Sequence, residues 1–168
     1  KVTDVVPGGE TGHISTRNGV YFLKNRLSED DYVIIHDAAR PIVYQDIIDD
    51  LIEKAKANGN ACSAVSCYET VVLTENRTSG KEQIDRNRIV RVQTPQCYNY
   101  GLIKSLYEKA DKDNREDFVY ANILAMNYGV EIYFSKGTNN NIKITTKDDI
   151  ALFRALLYYI NNAEGEEN

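Results

Sequence analysis

Asp37 and Arg40 follow directly on the apolar run Tyr32–Ile35 and stand just before Pro41. Aromatic and β-branched residues in such a run predict a buried strand, and a strand that stops there delivers both charges to the C-terminal edge of a sheet. Ligands of open α/β sheets sit at that edge, so the pair is a candidate site. The alternative is an acidic turn capping the next helix, with Arg40 paired to Asp37 at the surface. Three more polar clusters end or interrupt apolar segments: Gly8, Gly9 and Glu10 with Ser15, Thr94 with Gln96, and Lys143 with Thr145. The set suits phosphate chemistry better than acyl or hydride transfer. Moving a phosphoryl or nucleotidyl group asks a protein mainly for positioning, cations on the phosphates and a carboxylate for Mg²⁺. Asp37 is the candidate carboxylate and metal ligand; Arg40, Arg86 and Lys143 are the candidate cations.

These residues need elements to place them. Lys1–Val6 predicts the end of a strand, turned by Pro7-Gly8-Gly9, and Ser15 the N-cap of a helix reaching about Leu27. With the strand from Tyr32 this makes a β-α-β unit, which favours a parallel sheet. Gln45–Ala57 carries Ile48, Leu51, Ile52 and Ala55 at helical spacing, with Gly59 at its end, and Ala61–Cys67 reads as a small-residue strand. From Thr70 a two-stranded arm with a Ser79-Gly80 tip is expected, too polar to hold a core of its own. Ile89–Gln96 predicts a strand that Pro95 keeps from simply continuing. Helices are expected over Tyr100–Lys109 and Glu116–Tyr128, and a strand over Val130–Phe134. After the polar turn Asn139–Asn141, the alternation Ile142-Lys143-Ile144 points the cation away from the core. A closing helix over Lys147–Ile160 leads into an acidic tail after Asn161 that is expected to fray.

The chain has 168 residues, 42% of them hydrophobic, which suits one domain with a sizeable core. A formal charge of −5 argues against a nucleic-acid surface while leaving room for local cations on a small anionic ligand. No apolar run is long enough to span a membrane and no targeting leader is visible, so a cytoplasmic protein is expected. Cys62, Cys67 and Cys97 lack zinc-ligand spacing, and their odd number argues against a disulfide framework. His13 reads as an exposed loop residue and His36 as a hydrogen-bonded structural residue at a strand end.

Four segments in order carry a resemblance: Val33-Ile-Ile-His-Asp-Ala-Ala-Arg-Pro41, Asp85-Arg-Asn87, Gln93-Thr-Pro-Gln96 and Asn141-Ile-Lys-Ile-Thr-Thr146. Together they resemble the cytidylyltransferases that act on phosphorylated sugar alcohols. That family includes the 2-C-methyl-D-erythritol 4-phosphate enzyme of isoprenoid synthesis and the ribitol 5-phosphate enzymes of teichoic acid and capsule synthesis. The resemblance runs from about Val5 to Leu157. It implies an α/β fold, a Rossmann-like three-layer α/β/α sandwich with a mostly parallel sheet. A projecting β-arm over 68–91 would make a homodimer whose sites borrow residues from the partner. It also implies CTP and a polyol phosphate as ligands. Gly9, Glu10 and Ser15 would lie at the nucleotide, Asp37 near Mg²⁺ and the ribose, and Arg40 and Thr94 on the substrate. Thr70 and Arg86 would reach the partner's substrate phosphate, and Lys143 would steady the reacting phosphates.

Two features depart from the family pattern. The family opens with a glycine-rich loop around the CTP triphosphate, which is not found before Lys1. The chain is therefore expected to be the C-terminal two-thirds of a single nucleotidyltransferase domain, doubtful in activity alone. Gly12-His13 also stands where many members carry an arginine. The reading is CMP transfer from CTP to 2-C-methyl-D-erythritol 4-phosphate with release of pyrophosphate. The alternatives are D-ribitol 5-phosphate as acceptor, or a truncated dimerisation relic without catalysis.

Overall fold

Side-chain alternation on two adjoining strands decides where the helices lie. Ala61 and Cys62 on one, and Cys97 and Tyr98 on the other, turn to opposite faces of the sheet. In the computed structural model, which describes residues 2–163, these strands are β2 (Asn60–Ser66) and β5 (Val90–Asn99). With β1 (Tyr32–Ile35) and β6 (Phe134–Lys136) they form a four-stranded sheet in the order β1-β5-β2-β6. Leu51 and Ala55 of helix α2 (Gln45–Asn58) cover Ala61 and Cys97 on one face. On the other, Cys62 and Tyr98 join a larger core with α1 (Gly12–Phe22), α3 (Tyr100–Lys112) and α4 (Ala121–Asn127). The result is a three-layer α/β/α arrangement, and all three cysteines are buried and free, as the sequence suggests.

β6 pairs with β2 in parallel, whereas β5 runs antiparallel to both β1 and β2. Strands β1, β2 and β6 therefore point the same way and share one C-terminal edge. β1 and β2 are joined through α2, but β5 is inserted between them. The segment before α1 supplies no strand: residues 2–6 are not in a ladder, and Val2 and Val5 are exposed. Lys1, the first residue of that expected strand, lies outside the described residues.

Several boundaries differ from the sequence reading, each for a local reason. Thr11, not Ser15, caps α1; its Oγ1 accepts the Ile14 N–H at 3.2 Å, while Ser15 Oγ is engaged with Gly9. The helix ends at Phe22. His13 is on that helix and buried, packed against the rings of Tyr107 and Phe118 at 5.1 and 5.5 Å, and burial lowers its pKa. Pro95 does not end its strand. β5 bulges there, since Cys62 faces Gln96 while Ala64 faces Val92, and the β1 ladder stops at Gln96. A proline in that gap removes no ladder hydrogen bond. The helix expected from Glu116 starts only at Ala121, because Phe118 turns into the core and Arg115 lies over its ring. β6 begins later than expected, although Cys62 already donates its N–H to the Tyr133 carbonyl at 2.8 Å.

β3 (Val71–Leu73) and β4 (Glu82–Ile84) form a separate two-stranded ribbon, the expected arm. Its turn is built on Asn76, whose Oδ1 accepts the Thr78 and Ser79 N–H groups, next to Arg77 in the left-handed region (φ 61°). The bend thus falls a little before Ser79-Gly80.

Helix α5 (Lys147–Ala163) closes the described chain; the end of the expected acidic tail lies outside the described residues. Its first turn is fixed by Asp149, whose Oδ2 accepts the N–H groups of Thr145 and Thr146 at 2.8 and 2.7 Å. The Asp149 N–H in turn donates to Thr146 Oγ1 at 3.3 Å, a reciprocal cap. These donors favour the carboxylate and lower the Asp149 pKa from 3.8 to about 2. The cap is therefore complete above the ordinary carboxylate range and is lost as pH falls through about 2. Amide chemical shifts of Thr145 and Thr146 are expected to titrate with a midpoint near 2; a midpoint at the ordinary value of 3.8 would contradict this geometry.

Candidate active site

At the shared C-terminal edge of β1, β2 and β6, three segments converge that no single element could hold in place. The first is the turn after β1. The Arg40 N–H donates to the Asp37 carbonyl at 2.9 Å, and His36 Nε2 lies 2.8 Å from the Arg40 carbonyl, the structural role expected of it. The second is the bulge of β5, where Thr94 Oγ1 accepts the Asp37 N–H at 3.0 Å. The third is the chain after β6, which brings Asn141 and Lys143 back across the sheet edge. Gly137 makes that return possible, because a Cβ there would lie 2.6 Å from the Ala64 carbonyl and 2.9 Å from Gln93 Oε1.

Asn141 ties the three together and is fully buried. Its Nδ2 donates to the Thr94 carbonyl at 2.7 Å, and its own carbonyl accepts from Arg40 at 2.7 Å. The Ile144 N–H donates to the Ala39 carbonyl at 2.8 Å, so Ile142–Ile144 docks on the β1 turn without forming a strand. This brings Lys143 Nζ to 3.0 Å from Asp37 Oδ2, while Arg40 Nε stands 3.5 Å from the same oxygen. Asp37, Arg40 and Lys143 are all partly sheltered, with side chains 25%, 15% and 32% exposed. The Asp37 carboxylate raises the Lys143 pKa, keeping the ammonium charged.

Asp37, Thr94 and Lys143 line one cavity of about 540 Å³, closed on its far side by Thr11, Gly12 and Thr16 of the α1 entrance. Beside it lies a smaller cleft of about 280 Å³ that Arg40 and Asp37 share with Val92, Ile123 and Met126. The structure thus gathers Asp37, Arg40, Thr94 and Lys143 into one constellation. Gly9 and Ser15 do not line the cavity, and Ser15 faces a separate cleft with Val20 and Leu23. They are tied to the α1 entrance, since the Gly9 N–H donates to Ser15 Oγ at 3.0 Å and Ser15 Oγ–H donates to the Thr11 carbonyl at 2.9 Å. A Cβ on Gly9 would fall 2.1 Å from Ile14 Cγ2, so this approach admits only glycine. Glu10 is exposed next to them. Thr70 and Arg86 are at the base of the arm and do not line the cavity; Arg86 donates to the Tyr68 carbonyl at 3.1 Å. Sequence reasoning assigned no role to the carboxamide of Asn141, although it heads the segment Asn141–Thr146, nor to Tyr120, which carried no signal.

Among the described residues no three His, Cys, Asp or Glu side chains converge on one point. Among the described residues, Asp37 is the carboxylate that stands beside both Lys143 and Arg40. A single carboxylate fits a Mg²⁺ ion that takes its other oxygens from phosphates and water, and does not fit an all-protein cage.

The family model described as IspD, 2-C-methyl-D-erythritol 4-phosphate cytidylyltransferase, matches residues 1–159. The chain belongs to this family. A ribitol-5-phosphate cytidylyltransferase of Lacticaseibacillus paracasei is 38% identical over 159 residues, covering 94% of this chain and 68% of that protein. A 2-C-methyl-D-erythritol 4-phosphate cytidylyltransferase of Clostridium novyi is 36% identical over 157 residues, covering 94% and 66%. The chain spans about two thirds of the length of these relatives. The solved 2-C-methyl-D-erythritol 4-phosphate cytidylyltransferase of Francisella tularensis matches with a TM-score of 0.76 at 31% identity, over 89% of this chain and 69% of that one. The IspD-family chain thus carries the expected Rossmann-like sandwich, with the antiparallel β5 inside it. No helix among the described residues is long and apolar enough to cross a membrane.

Within this family member, Asn141 offers the clearest structural test. Replacing it with Ala leaves the buried Thr94 carbonyl without its donor, at a cost of about 1–3 kcal/mol. Urea unfolding should show that loss. An Asn141→Ala chain as stable as the parent would mean the three segments are held otherwise.

Proposed function

We propose that this chain forms the acceptor side of a cytidylyltransferase site, in which CMP passes from CTP to a polyol phosphate. The observation that carries the reading is the placement of Lys143 and Arg40 about one carboxylate that lines both the larger cavity and the cleft beside it. An oxygen of the polyol's phosphate forms a bond to the α-phosphorus of CTP. The bond from that phosphorus to its β-bridging oxygen breaks, and the electron pair leaves with pyrophosphate. Lys143 and Arg40 offset the charge that spreads over the phosphate oxygens, with more effect in a sheltered site than in open water. Thr94, by accepting the Asp37 N–H, fixes the turn that presents the carboxylate. A divalent cation shared by Asp37 and the phosphates would add Lewis-acid neutralisation when bound.

The acceptor we favour is 2-C-methyl-D-erythritol 4-phosphate, in line with the family description. The Lacticaseibacillus relative, at 38% identity, favours D-ribitol 5-phosphate as the second reading. In this reading the whole chain is part of one nucleotidyltransferase domain, and the arm pairs two copies. Tyr68, Val72 and Leu73 expose apolar surface that a partner would cover, and Arg86 at the base of the arm would reach the partner's acceptor phosphate.

Two measurements bear on this. In a protein carrying the whole family domain, Asp37→Ala should lower CTP-dependent pyrophosphate release by about a hundredfold or more without unfolding the chain. Full turnover by the folded variant would remove Asp37 from the chemistry, and offering each polyol phosphate in the same assay identifies the acceptor. Mixing Arg86→Ala with Asp37→Ala subunits should restore activity, since one site of a mixed dimer has both residues intact. If subunit exchange is demonstrated and no activity returns, the shared site is excluded.

A further inference from the structure

The Tyr120 side chain has no evident part in folding, although its carbonyl accepts the Leu124 N–H at the start of α4. The residue is 44% exposed, so it is not core. It precedes α4 in an extended conformation (φ −137°, ψ 156°), and its side chain makes no capping bond. Its ring nevertheless lies beneath the Lys143 ammonium, with Nζ 5.4 Å from the ring centroid. It also lines both the larger cavity and the smaller cleft, standing between them with Asp37, Thr94 and Gln96.

Lysine is a point charge on a flexible stem, and a carboxylate alone makes an unreliable anchor for it in a phosphate site. Asp37 Oδ2 already faces both Lys143 and Arg40, and any further cation drawn to that oxygen weakens its hold on Nζ. The face of an aromatic ring attracts the ammonium without depending on that oxygen. We propose that Tyr120 is a positioning residue for Lys143: its ring keeps the ammonium in the larger cavity, beside the wall that cavity shares with the cleft, where a phosphate joining their occupants would lie. The proposal rests on the reading of this site as a phosphate site. It adds a residue that acts through Lys143, not on the reacting atoms.

The test uses the chain itself, with lysines labelled by reductive ¹³C-methylation, which preserves their charge. The Lys143 signal is identified by its loss in Lys143→Arg. A ring beneath the ammonium displaces that signal upfield. Tyr120→Phe should keep the displacement and Tyr120→Leu should abolish it. Titrating inorganic phosphate and following the same signal should give wild-type affinity in Tyr120→Phe and about two- to fivefold weaker binding in Tyr120→Leu. A Lys143 signal and phosphate affinity unchanged in Tyr120→Leu would overturn the role of Tyr120 while leaving the phosphate site intact. A ring displacement present in wild type and Tyr120→Phe, with no phosphate response in any variant, would instead overturn the phosphate-site reading on which the proposal rests.

Discussion

The contact between Lys143 and Asp37 holds the return after β6 against a ring of bonds that crosses the sheet edge and closes through Arg40. Asp37 donates its backbone N–H to Thr94, Thr94 accepts from Asn141, and Asn141 accepts from Arg40, which returns to Asp37. A partly sheltered pair gains more from its attraction than a surface pair and escapes the full desolvation cost of a buried one. It also leaves both charges within reach of a ligand. Removing Asp37 would leave the Lys143 and Arg40 charges facing each other without the carboxylate between them.

The fold serves this ring through three local devices. The β5 bulge places Thr94 between the turn after β1 and the return after β6, and it absorbs Pro95 without loss of a ladder bond. Gly137 lets the return pass close to Ala64 and Gln93, where a side chain would collide with backbone. The reciprocal cap of Thr146 and Asp149 fixes the start of α5 just beyond Lys143, so the segment is anchored on both sides of the ammonium. The bulge supplies part of the cavity wall itself, while Gly137 and the α5 cap lie outside it and determine where Lys143 stands.

The sequence made Asp37 and Arg40 legible because a β-branched run ending in charge has few structural outcomes, and Lys143 legible because alternation kept it off the apolar face. The core was legible for the same reason in α2, where Leu51 and Ala55 recur at helical spacing. Other features depend on contacts distant in sequence and carry no local signature. Asn141 reads as one more polar turn residue until its partners Thr94 and Arg40 are in place. His13 reads as exposed until Tyr107 and Phe118 close over it. The direction of β5 was hidden because hydrophobic alternation is the same in parallel and antiparallel strands. Thr70 and Arg86 stand apart from the cavity, at the base of the arm.

In the proposed site the phosphates of donor and acceptor meet at Lys143, on the side of the larger cavity next to the cleft. A crystal structure of the chain with a cytidine diphosphate polyol tests this most directly. A phosphate oxygen is expected within hydrogen-bonding distance of Lys143 Nζ, about 2.7–3.2 Å, with the cytidine on the α1 side and the polyol toward Arg40. A diphosphate bound away from Lys143, with the Asp37 contact undisturbed and both cavities empty, would contradict it.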